Sequence, residues 1–425
     1  MSLRVKAMTI YLDHAATSPM PPAVRERYVD ALGVVGNPSS IHSAGQSARA
    51  LLDESRARIA ATLGVDPIEV TFTGGGTEAV NLAVKGMFWS RRAGGYGSRI
   101  LAPAAEHHAT LDAVQWLVDH EGATVEWLPV DAAGRLRLDA LEAALAPRPV
   151  SSDGPSHPGR NGRRASVSSD GAGTGAALLT MLWANNEVGT LQPVAEAAAL
   201  AAAAGVPVHV DAIAAYGQVP LAPLPAGVSA LSISAHKVGG PVGVGALVLR
   251  RGTEVEPLLH GGAQQRGRSG TMDAAGAAAF AHAAELAHAA LDDRASHKRE
   301  LRDRLAAGIR DRVPEARLST DLADSLPGTL HLRVPGAEGD SLLFLLDQAG
   351  FAVSTGSACQ AGVPEPSHVL RAMGVAAEEA RGSLRISLGP ETTTVEIDAL
   401  LDALPHAARQ ALAAGLAARQ PRLGR

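Results

Sequence analysis

Lys237 is the residue of this chain best placed for covalent chemistry with a carbonyl compound. It follows the strand-like alternation of residues 232–234 and precedes a turn rich in glycine and proline. A lysine that forms a Schiff base must be held rigidly beside its partner molecule, and the end of a strand provides such a position. The other lysines are Lys6 in the N-terminal tail, Lys85 in a helical pattern and Lys298 in a charged helical run. We therefore predict that Lys237 is the Schiff-base lysine.

Two more motifs lie where predicted strands end. Residues 73–77 read Thr-Gly-Gly-Gly-Thr before a helix, so backbone amides and the Thr77 hydroxyl are available to bind a phosphate. The motif lacks the lysine of a P-loop and the spacing of a dinucleotide fingerprint, and an ordinary glycine-rich turn is an equal alternative. Asp211 ends the strand-like segment 208–210, where a carboxylate would keep a pyridine nitrogen protonated. Its alternative role is that of a helix N-cap.

Polar pairs follow two other predicted strands. His107 and His108 precede a predicted helix, and His107 is placed to stack on a planar cofactor. Adjacent histidines without an HExxH pattern do not predict zinc, and for an isolated pair capping or surface polarity is the better interpretation. Asn185 and Asn186 follow an apolar strand. Their amides suit a carboxylate or a phenolic oxygen, and an ordinary asparagine-rich turn is the alternative.

A thiol and a guanidinium complete the set of reactive groups. Cys359, the sole cysteine, lies in a loop of small residues, 354–362. Structural cysteines usually sit in apolar runs, so these polar surroundings favour a reactive, mobile thiol. Arg385 interrupts a strand-like run and suits bidentate binding of a carboxylate, with a solvated strand residue as the alternative. Taken together, the motifs predict a site for pyridoxal 5'-phosphate (PLP).

The elements that must position these residues alternate between strands and helices up to about residue 210. This alternation predicts an α/β unit with a mainly parallel sheet, and the helix-rich pattern after about residue 270 predicts a second, α+β domain. Residues 393–396 predict a capping box for the final helix. Residues 147–175 are rich in Ser, Gly, Pro and Arg, which predicts a disordered surface insertion.

Composition limits the class of protein. The 425 residues are 46% hydrophobic and 19% charged, as expected for a soluble globular protein of more than one domain. The net charge of −5 does not favour direct binding of nucleic acid or of an anionic membrane. No apolar run approaches the length of a membrane span, and the N-terminus lacks the apolar region of a signal peptide. A single cysteine allows no intrachain disulfide, which favours a cytoplasmic protein.

In these ordered motifs the chain resembles the cysteine desulfurases of the NifS/IscS kind, in the class V aminotransferase group of fold-type I PLP enzymes. The resemblance extends from residue 11 to residue 389 and includes segments 11–17, 36–42, 73–77, 106–108, 185–187, 209–212, 234–237 and 268–271 together with Cys359 and Arg385. It implies a fold-type I transferase. The large α/β/α domain would be formed by residues 23–262, and the smaller α+β domain, which carries the cysteine loop, by residues 1–22 and 263–425.

The resemblance also implies a role for each matching residue. Lys237 would form the Schiff base and move the Cα proton, His107 would stack on the PLP ring and act in acid–base steps, and Asp211 would pair with the ring nitrogen. The residues implied to bind the phosphate are Gly76, Thr77, Ser234, His236 and, from the second subunit of a homodimer, Thr271. The residues implied to hold the substrate carboxylate are Asn37, Arg385 and Asn186, the last of which also belongs to the cofactor site.

The implied reaction converts L-cysteine to L-alanine and leaves a persulfide on Cys359. The sulfur would pass to an acceptor protein for iron–sulfur clusters or for thio-modification. One alternative is another class V reaction, selenocysteine lysis or aminotransfer, neither of which strictly needs a mobile thiol. An alternative of a different class is a degenerate PLP-binding scaffold.

Three departures from the family pattern stand out. Ala214 occupies the position at which a family glutamine contacts the PLP phenolic oxygen, and this is the observation behind the scaffold alternative. The loop 261–268 is one residue shorter than usual, and Gln265 stands where glutamate is common. The insertion at 147–175 is the third departure.

Overall fold

The computed structural model describes residues 9–147, 175–356 and 366–419. Its strands are β1 (Ile10–Tyr11), β2 (Val70–Thr73), β3 (Arg99–Pro103), β4 (Thr124–Leu128), β5 (Ala176–Leu182), β6 (Val208–Asp211), β7 (Val228–Ser234), β8 (Gly245–Leu249), β9 (Arg317–Leu318), β10 (Thr329–Arg333), β11 (Phe351–Ala352) and β12 (Ser383–Ser387). Its α-helices are α1 (Pro22–Leu32), α2 (Ser43–Leu63), α3 (Gly76–Ala93), α4 (His108–Glu121), α5 (Leu138–Leu145), α6 (Val194–Ala203), α7 (Ala274–Ala289), α8 (Leu291–Arg312), α9 (Gly339–Gln348), α10 (His368–Ala372), α11 (Ala377–Ala380) and α12 (Thr394–Arg419).

A seven-stranded sheet has the order β2-β8-β7-β6-β5-β3-β4. The pairs from β7 to β4 are parallel, whereas β8 runs antiparallel to both β2 and β7. Every residue of β5 is buried, as expected for an apolar strand that is covered on both faces. Asp211 at the end of β6 lies in register with Leu182 of β5 and Ser232 of β7. The carboxyl ends of these parallel strands therefore meet at one edge of the sheet.

Helices cover both faces of this sheet. The adjacent residues Ile100 and Leu101 of β3 point to opposite faces, as neighbours in a strand do. Leu101 belongs to an apolar cluster with Leu52 of α2 and Phe280 of α7. Ile100 belongs to a second cluster with Leu117 of α4. The result is a three-layered α/β/α arrangement, which confirms the predicted fold class.

A separate apolar cluster lies around the antiparallel sheet β12-β10-β9. Leu305 of α8, Leu342 of α9 and Leu404 of α12 pack there with residues of β10 and β12. The N-terminal segment joins the same cluster through Leu12, next to the parallel pair of β1 and β11. Arg385 of β12 is thus held by a framework other than the large sheet.

The position of α7 bears on the predicted domain boundary. The prediction places residues 263–425 in the small domain, whereas Phe280 and Ala284 of α7 belong to the apolar cluster of the large sheet. The division of the chain into residues 23–262 and residues 1–22 with 263–425 stays a prediction.

Several local expectations can be compared with the structure. The capping box at α12 is confirmed, because Thr393 N donates to Glu396 Oε2 at 2.8 Å and Glu396 N donates to Thr393 Oγ1 at 3.3 Å. Nearly all of the insertion at 147–175 lies outside the described residues, and Cys359 lies outside them too. Within the part of the chain that the structure describes, no helix combines the length and apolarity needed to cross a bilayer.

Candidate active site

A cavity of about 400 Å³ collects most of the predicted site residues. The predicted residues that line it are Gly76, Thr77, His107, Asn186, Asp211, Ser234, His236, Lys237 and Arg385. They come from the ends of β5, β6 and β7, from the starts of α3 and α4, and from β12. Asn37 and Thr271 are exposed and do not line this cavity of the single chain. Their roles, like that of Cys359, stay predictions.

Lys237 lies just after β7, in a turn of 3₁₀ helix that ends the strand. Its Nζ donates hydrogen bonds to the carbonyl oxygens of Ala15 and Ala16, the latter at 3.1 Å. Burial, reinforced by the charge of Arg385, lowers the pKa of Lys237 from 10.5 to about 8, although Asp211 and other carboxylates oppose the shift. Around pH 8 about half of this lysine is therefore the neutral amine, compared with fewer than about one in a hundred ordinary lysines.

Asp211 ends β6 with its carboxylate in the cavity and only 2% of its surface exposed. Its Oδ1 accepts a hydrogen bond from Ile213 N at 2.9 Å. Burial raises its pKa to about 6, while that hydrogen bond and the charge of Lys237 act in the opposite direction. A carboxylate in this state is ionised at neutral pH and has high affinity for a nearby proton, which suits a partner for a ring nitrogen.

The buried carboxyl group of Glu106 lies close enough to Asp211 to interact with its charge. Burial raises the pKa of Glu106 well above its ordinary value, and its Oε1 accepts a hydrogen bond from Leu182 N at 3.0 Å. Sequence reasoning noted this residue only as part of a motif. Its burial follows from the tertiary packing of β3 against β5, which no local pattern indicates.

The first turn of α3 faces the cavity, as the glycine-rich motif predicts. A Cβ on Gly76 would come within 2.4 Å of the Ile213 side chain and 3.2 Å of Ser234 Cβ. Any larger residue at position 76 would therefore require the Ile213 side chain to move away from the start of α3. The Ser234 hydroxyl is buried at the same place and has no hydrogen-bond partner among the described residues. Free helix amides and an unpartnered hydroxyl form a site suited to a phosphate.

Two neutral imidazoles lie beside Lys237. His107 caps α4, with Nδ1 accepting from Ala109 N at 3.1 Å. Burial and the charge of Lys237 lower the pKa of His107 to about 4, and the same causes lower that of His236 to about 4. Both rings are therefore uncharged at neutral pH. Among the described residues no group of three His, Cys, Asp or Glu side chains converges as a metal site.

Arg385 is held in the cavity wall by contacts from two distant segments. Its Nη2 donates to Asp13 Oδ1 at 2.9 Å, and its Nη1 donates to the carbonyl oxygen of Asn186 at 2.8 Å. The Nε of Arg385 and the Oδ1 of Asn186 are buried without hydrogen-bond partners among the described residues. The guanidinium is thus oriented but not saturated, as a carboxylate-binding group requires. Sequence reasoning did not assign a role to Asp13.

Two of the departures from the family pattern can be located. Ala214 lines the cavity beside Lys237. Gln265 bonds to the backbone of Phe72 in β2, because its Oε1 accepts from Phe72 N at 2.9 Å and its Nε2 donates to Phe72 O at 3.0 Å. A glutamate at position 265 could accept the first of these bonds but could not donate the second.

These residues fit PLP. The cavity has the volume of a small-molecule site, and the Ser234 hydroxyl, which has no partner among the described residues, lies next to the first turn of α3. Asp211 provides a carboxylate for the ring nitrogen, and Lys237 provides an amine with a lowered pKa. The donor set therefore matches the phosphate, the ring and the aldehyde of the cofactor.

Comparison with known proteins gives a consistent family. The sequence matches the model of the family Aminotransferase class-V over residues 10–151 and 168–400. It is 48% identical over 411 residues to the IscS-like cysteine desulfurase of Mycobacterium tuberculosis, which covers 96% of this chain and 98% of that protein. It is 41% identical over 406 residues to a cysteine desulfurase of Cereibacter sphaeroides, with 93% and 95% covered. A solved NifS-like protein is similar with a TM-score of 0.80 and 33% identity, over 94% of this chain and 99% of that one.

Proposed function

The chain belongs to the class-V aminotransferase family, and we propose that it acts as a PLP-dependent cysteine desulfurase on L-cysteine. The observation that carries this proposal is the amine of Lys237, which shares one cavity with Asp211, the start of α3 and the guanidinium of Arg385. The relatives described above are cysteine desulfurases by name, which favours this reaction over selenocysteine lysis, aminotransfer or a scaffold role.

The proposed roles follow from the positions of the side chains. PLP, when bound, supplies an aldehyde and an electron-withdrawing ring that weakens bonds at the carbons of the substrate. Asp211 holds the ring nitrogen in its charged form, and His107 packs against the ring as a neutral imidazole. The residues that hold the phosphate in this proposal are Gly76, Thr77, Ser234 and His236. Arg385 orients the substrate carboxylate through its Nε, which has no hydrogen-bond partner among the described residues, and Asn186 donates to the same carboxylate from its side-chain amide nitrogen.

Proton movement is assigned to Lys237. Its lowered pKa lets Nζ accept a proton from the substrate α-carbon near neutral pH and return one later. Ala15 and Ala16 fix the position of Nζ through their carbonyl oxygens. The charge of Arg385 helps to keep this amine neutral, so substrate orientation and proton transfer depend on the same guanidinium.

Sulfur transfer is assigned to Cys359. Its thiolate forms an S–S bond with the sulfur of the substrate while the substrate C–S bond breaks, and the carbon takes up a proton. The thiol and L-cysteine thus become a persulfide and L-alanine, and no external oxidant is consumed. The polar, small-residue sequence around Cys359 supports a thiol that can move between substrate and acceptor.

The proposal is tested with purified PLP-loaded protein, L-cysteine and a reductant. We expect sulfide and alanine to form in equal amounts, because each turnover releases one of each. Cys359→Ala should keep the visible absorption of bound PLP and lose both products. Ser357→Ala changes the same loop without removing the thiol and is the matched control. Unchanged turnover in Cys359→Ala would show that another group receives the sulfur, and a PLP-loaded wild type that forms neither product would contradict the desulfurase itself.

We also propose a homodimer. Thr271 is exposed in the single chain, and its proposed phosphate contact needs a second copy. The end of α1 and the loop after it carry exposed apolar side chains, with Val29 67%, Leu32 60%, Val35 82% and Ile41 92% exposed. Such side chains are typical of a contact surface. Light scattering should give about twice the monomer mass of 43.5 kDa, and a monomer would contradict this part of the proposal.

We propose that the sulfur acceptor is a protein of iron–sulfur cluster assembly or of thio-modification. We also propose that the desulfurase is located in the cytoplasm. The single cysteine of the chain supports a reducing compartment. Transfer of ³⁵S from labelled L-cysteine to candidate acceptor proteins would identify the pathway, with Cys359→Ala as the negative control.

A further inference from the structure

A second cavity, of about 660 Å³, borders Lys237 and is larger than the candidate active site. Its walls come from the N-terminal segment, the first turns of α8 and the residues that precede α12. Of the residues that the structure describes, Lys237 alone lines both cavities. None of the roles proposed above uses this second cavity, which we name the Lys298 cavity after the cation in its wall.

Lys298 is a buried cation without an anionic partner. It is 2% exposed, and its Nζ donates to Gln218 Oε1. Burial, reinforced by the charge of Arg294, lowers its pKa to about 8, and no carboxylate among the described residues opposes this shift. Arg294 lies one helical turn earlier on the same face of α8 and also lines the cavity. Among the described residues, neither cation forms an ion pair.

The acidic residues of the cavity do not compensate these charges. Glu396 is engaged in the capping box of α12, where its Oε2 accepts from Thr393 N at 2.8 Å and from Thr393 Oγ1 at 3.0 Å. Glu391 lines the cavity but is exposed. A buried cation beside a second, partly buried cation is costly unless an anion completes the site. An anion would therefore complete this site, and none of the described carboxylates provides it.

The remaining wall indicates which kind of anion fits. Met20, Pro21, Val238 and Ala287 give the cavity an apolar side, which inorganic phosphate would not use. A ligand with an apolar body and one acidic group would contact both sides, and the volume is in the range of small-molecule sites. We propose that the Lys298 cavity binds a small organic carboxylate, with its oxygens at Lys298 and Arg294 and its apolar body against Met20 and Val238.

The test measures binding of phenylacetate to the PLP-loaded protein by calorimetry, without L-cysteine. We expect saturable binding that weakens at least about tenfold in Lys298→Met and in Arg294→Gln, because each loses one charge-assisted hydrogen bond. Arg299→Gln removes an exposed cation next to Lys298 and should bind as the wild type does. Arg294 is only partly buried, so Arg294→Gln keeps the test valid if Lys298→Met does not fold.

A further variant separates this site from the proposed substrate site. Arg385→Gln should bind phenylacetate unchanged, and inorganic phosphate should not displace it. The absence of saturable phenylacetate binding to the wild type would overturn the proposal. Binding as tight as that of the wild type in folded Lys298→Met and Arg294→Gln would also overturn it. So would loss of phenylacetate binding in Arg385→Gln, or displacement of phenylacetate by phosphate. Because no turnover is measured, failure of the desulfurase assay would leave this result intact.

Discussion

Two lysines, Lys237 and Lys298, reach the same pKa of about 8 in different surroundings. Near Lys237, the carboxylates Asp211 and Asp13 oppose the effects of burial and of Arg385. Near Lys298, burial and Arg294 lower the pKa, and no carboxylate in the described part of the chain opposes them. Burial together with a neighbouring arginine therefore lowers the pKa of either lysine to about 8. Lys237 differs from Lys298 because Asp211 and the groups proposed to bind phosphate line the same cavity.

The largest expected effect is the loss of covalently bound PLP, which should follow from replacing Lys237 but not from replacing Lys298. Lys237→Ala should lose the visible absorption of bound PLP and at least about 10²–10⁴-fold of turnover, because the attached amine and the proton carrier are both removed. Lys298→Met should retain PLP, since Lys298 lies in the other cavity. Borohydride reduction followed by peptide mass spectrometry identifies the labelled lysine. Label found on Lys298 in the wild type would contradict the assignment.

The shared pKa can be measured directly by NMR, because a chain with four lysines gives only a few lysine signals. In cofactor-free protein labelled with ¹³C at lysine Cε, we expect two signals with titration midpoints near pH 8. Lys237→Ala and Lys298→Met should each remove one of them. A single anomalous signal would show that one of the two amines is better solvated than the structure indicates.

A crossed pair of substitutions tests the charges that surround each lysine. Asp211→Asn removes a carboxylate that raises the pKa of Lys237, so this pKa should fall below its wild-type value while that of Lys298 stays constant. Arg294→Gln removes a cation that lowers the pKa of Lys298, so that pKa should rise while that of Lys237 stays constant. The same NMR titration reads both results. Equal movement of both pKa values would indicate a general structural change.

The smallest expected effect concerns His14, which lies near Lys298. Burial and the charge of Lys298 lower the pKa of His14 from 6.5 to about 4. The unfolded chain therefore takes up a proton first as the pH falls below about 6.5, which lowers the free energy of unfolding until about pH 4 is reached. When the pH falls from 7 to 5, the free energy of unfolding measured with urea should decrease less in His14→Asn than in the wild type, by about 2 kcal/mol. An equal decrease in the free energy of unfolding for the variant and the wild type would mean that the pKa of His14 is not lowered.

Much of the candidate site was predictable because it is local to the ends of strands. Lys237, Asp211 and the glycine-rich motif each follow an apolar strand, and parallel strands bring their carboxyl ends together. The pair of Asp13 and Arg385 was not predictable, because 372 residues separate its members.

The burial of Lys298 was equally invisible in the sequence. Charged residues are spread around the first turns of α8, so no apolar periodicity marks the buried face. Its position depends on a close approach from another segment, since a Cβ on Gly328 would lie 3.0 Å from the Lys298 side chain. Such contacts are set by the packing of α8 beside the small sheet and not by local pattern.

The amide of Gln265 has a consequence for the behaviour of the protein in solution. β2 is the outermost strand on its side of the large sheet, and an open strand edge invites pairing with another chain. Gln265 occupies both backbone groups of Phe72, and Arg56 Nε donates to the carbonyl oxygen of Val70 at 3.1 Å. Two side chains thus occupy backbone groups that an added strand would need, and they protect this edge of the sheet against aggregation.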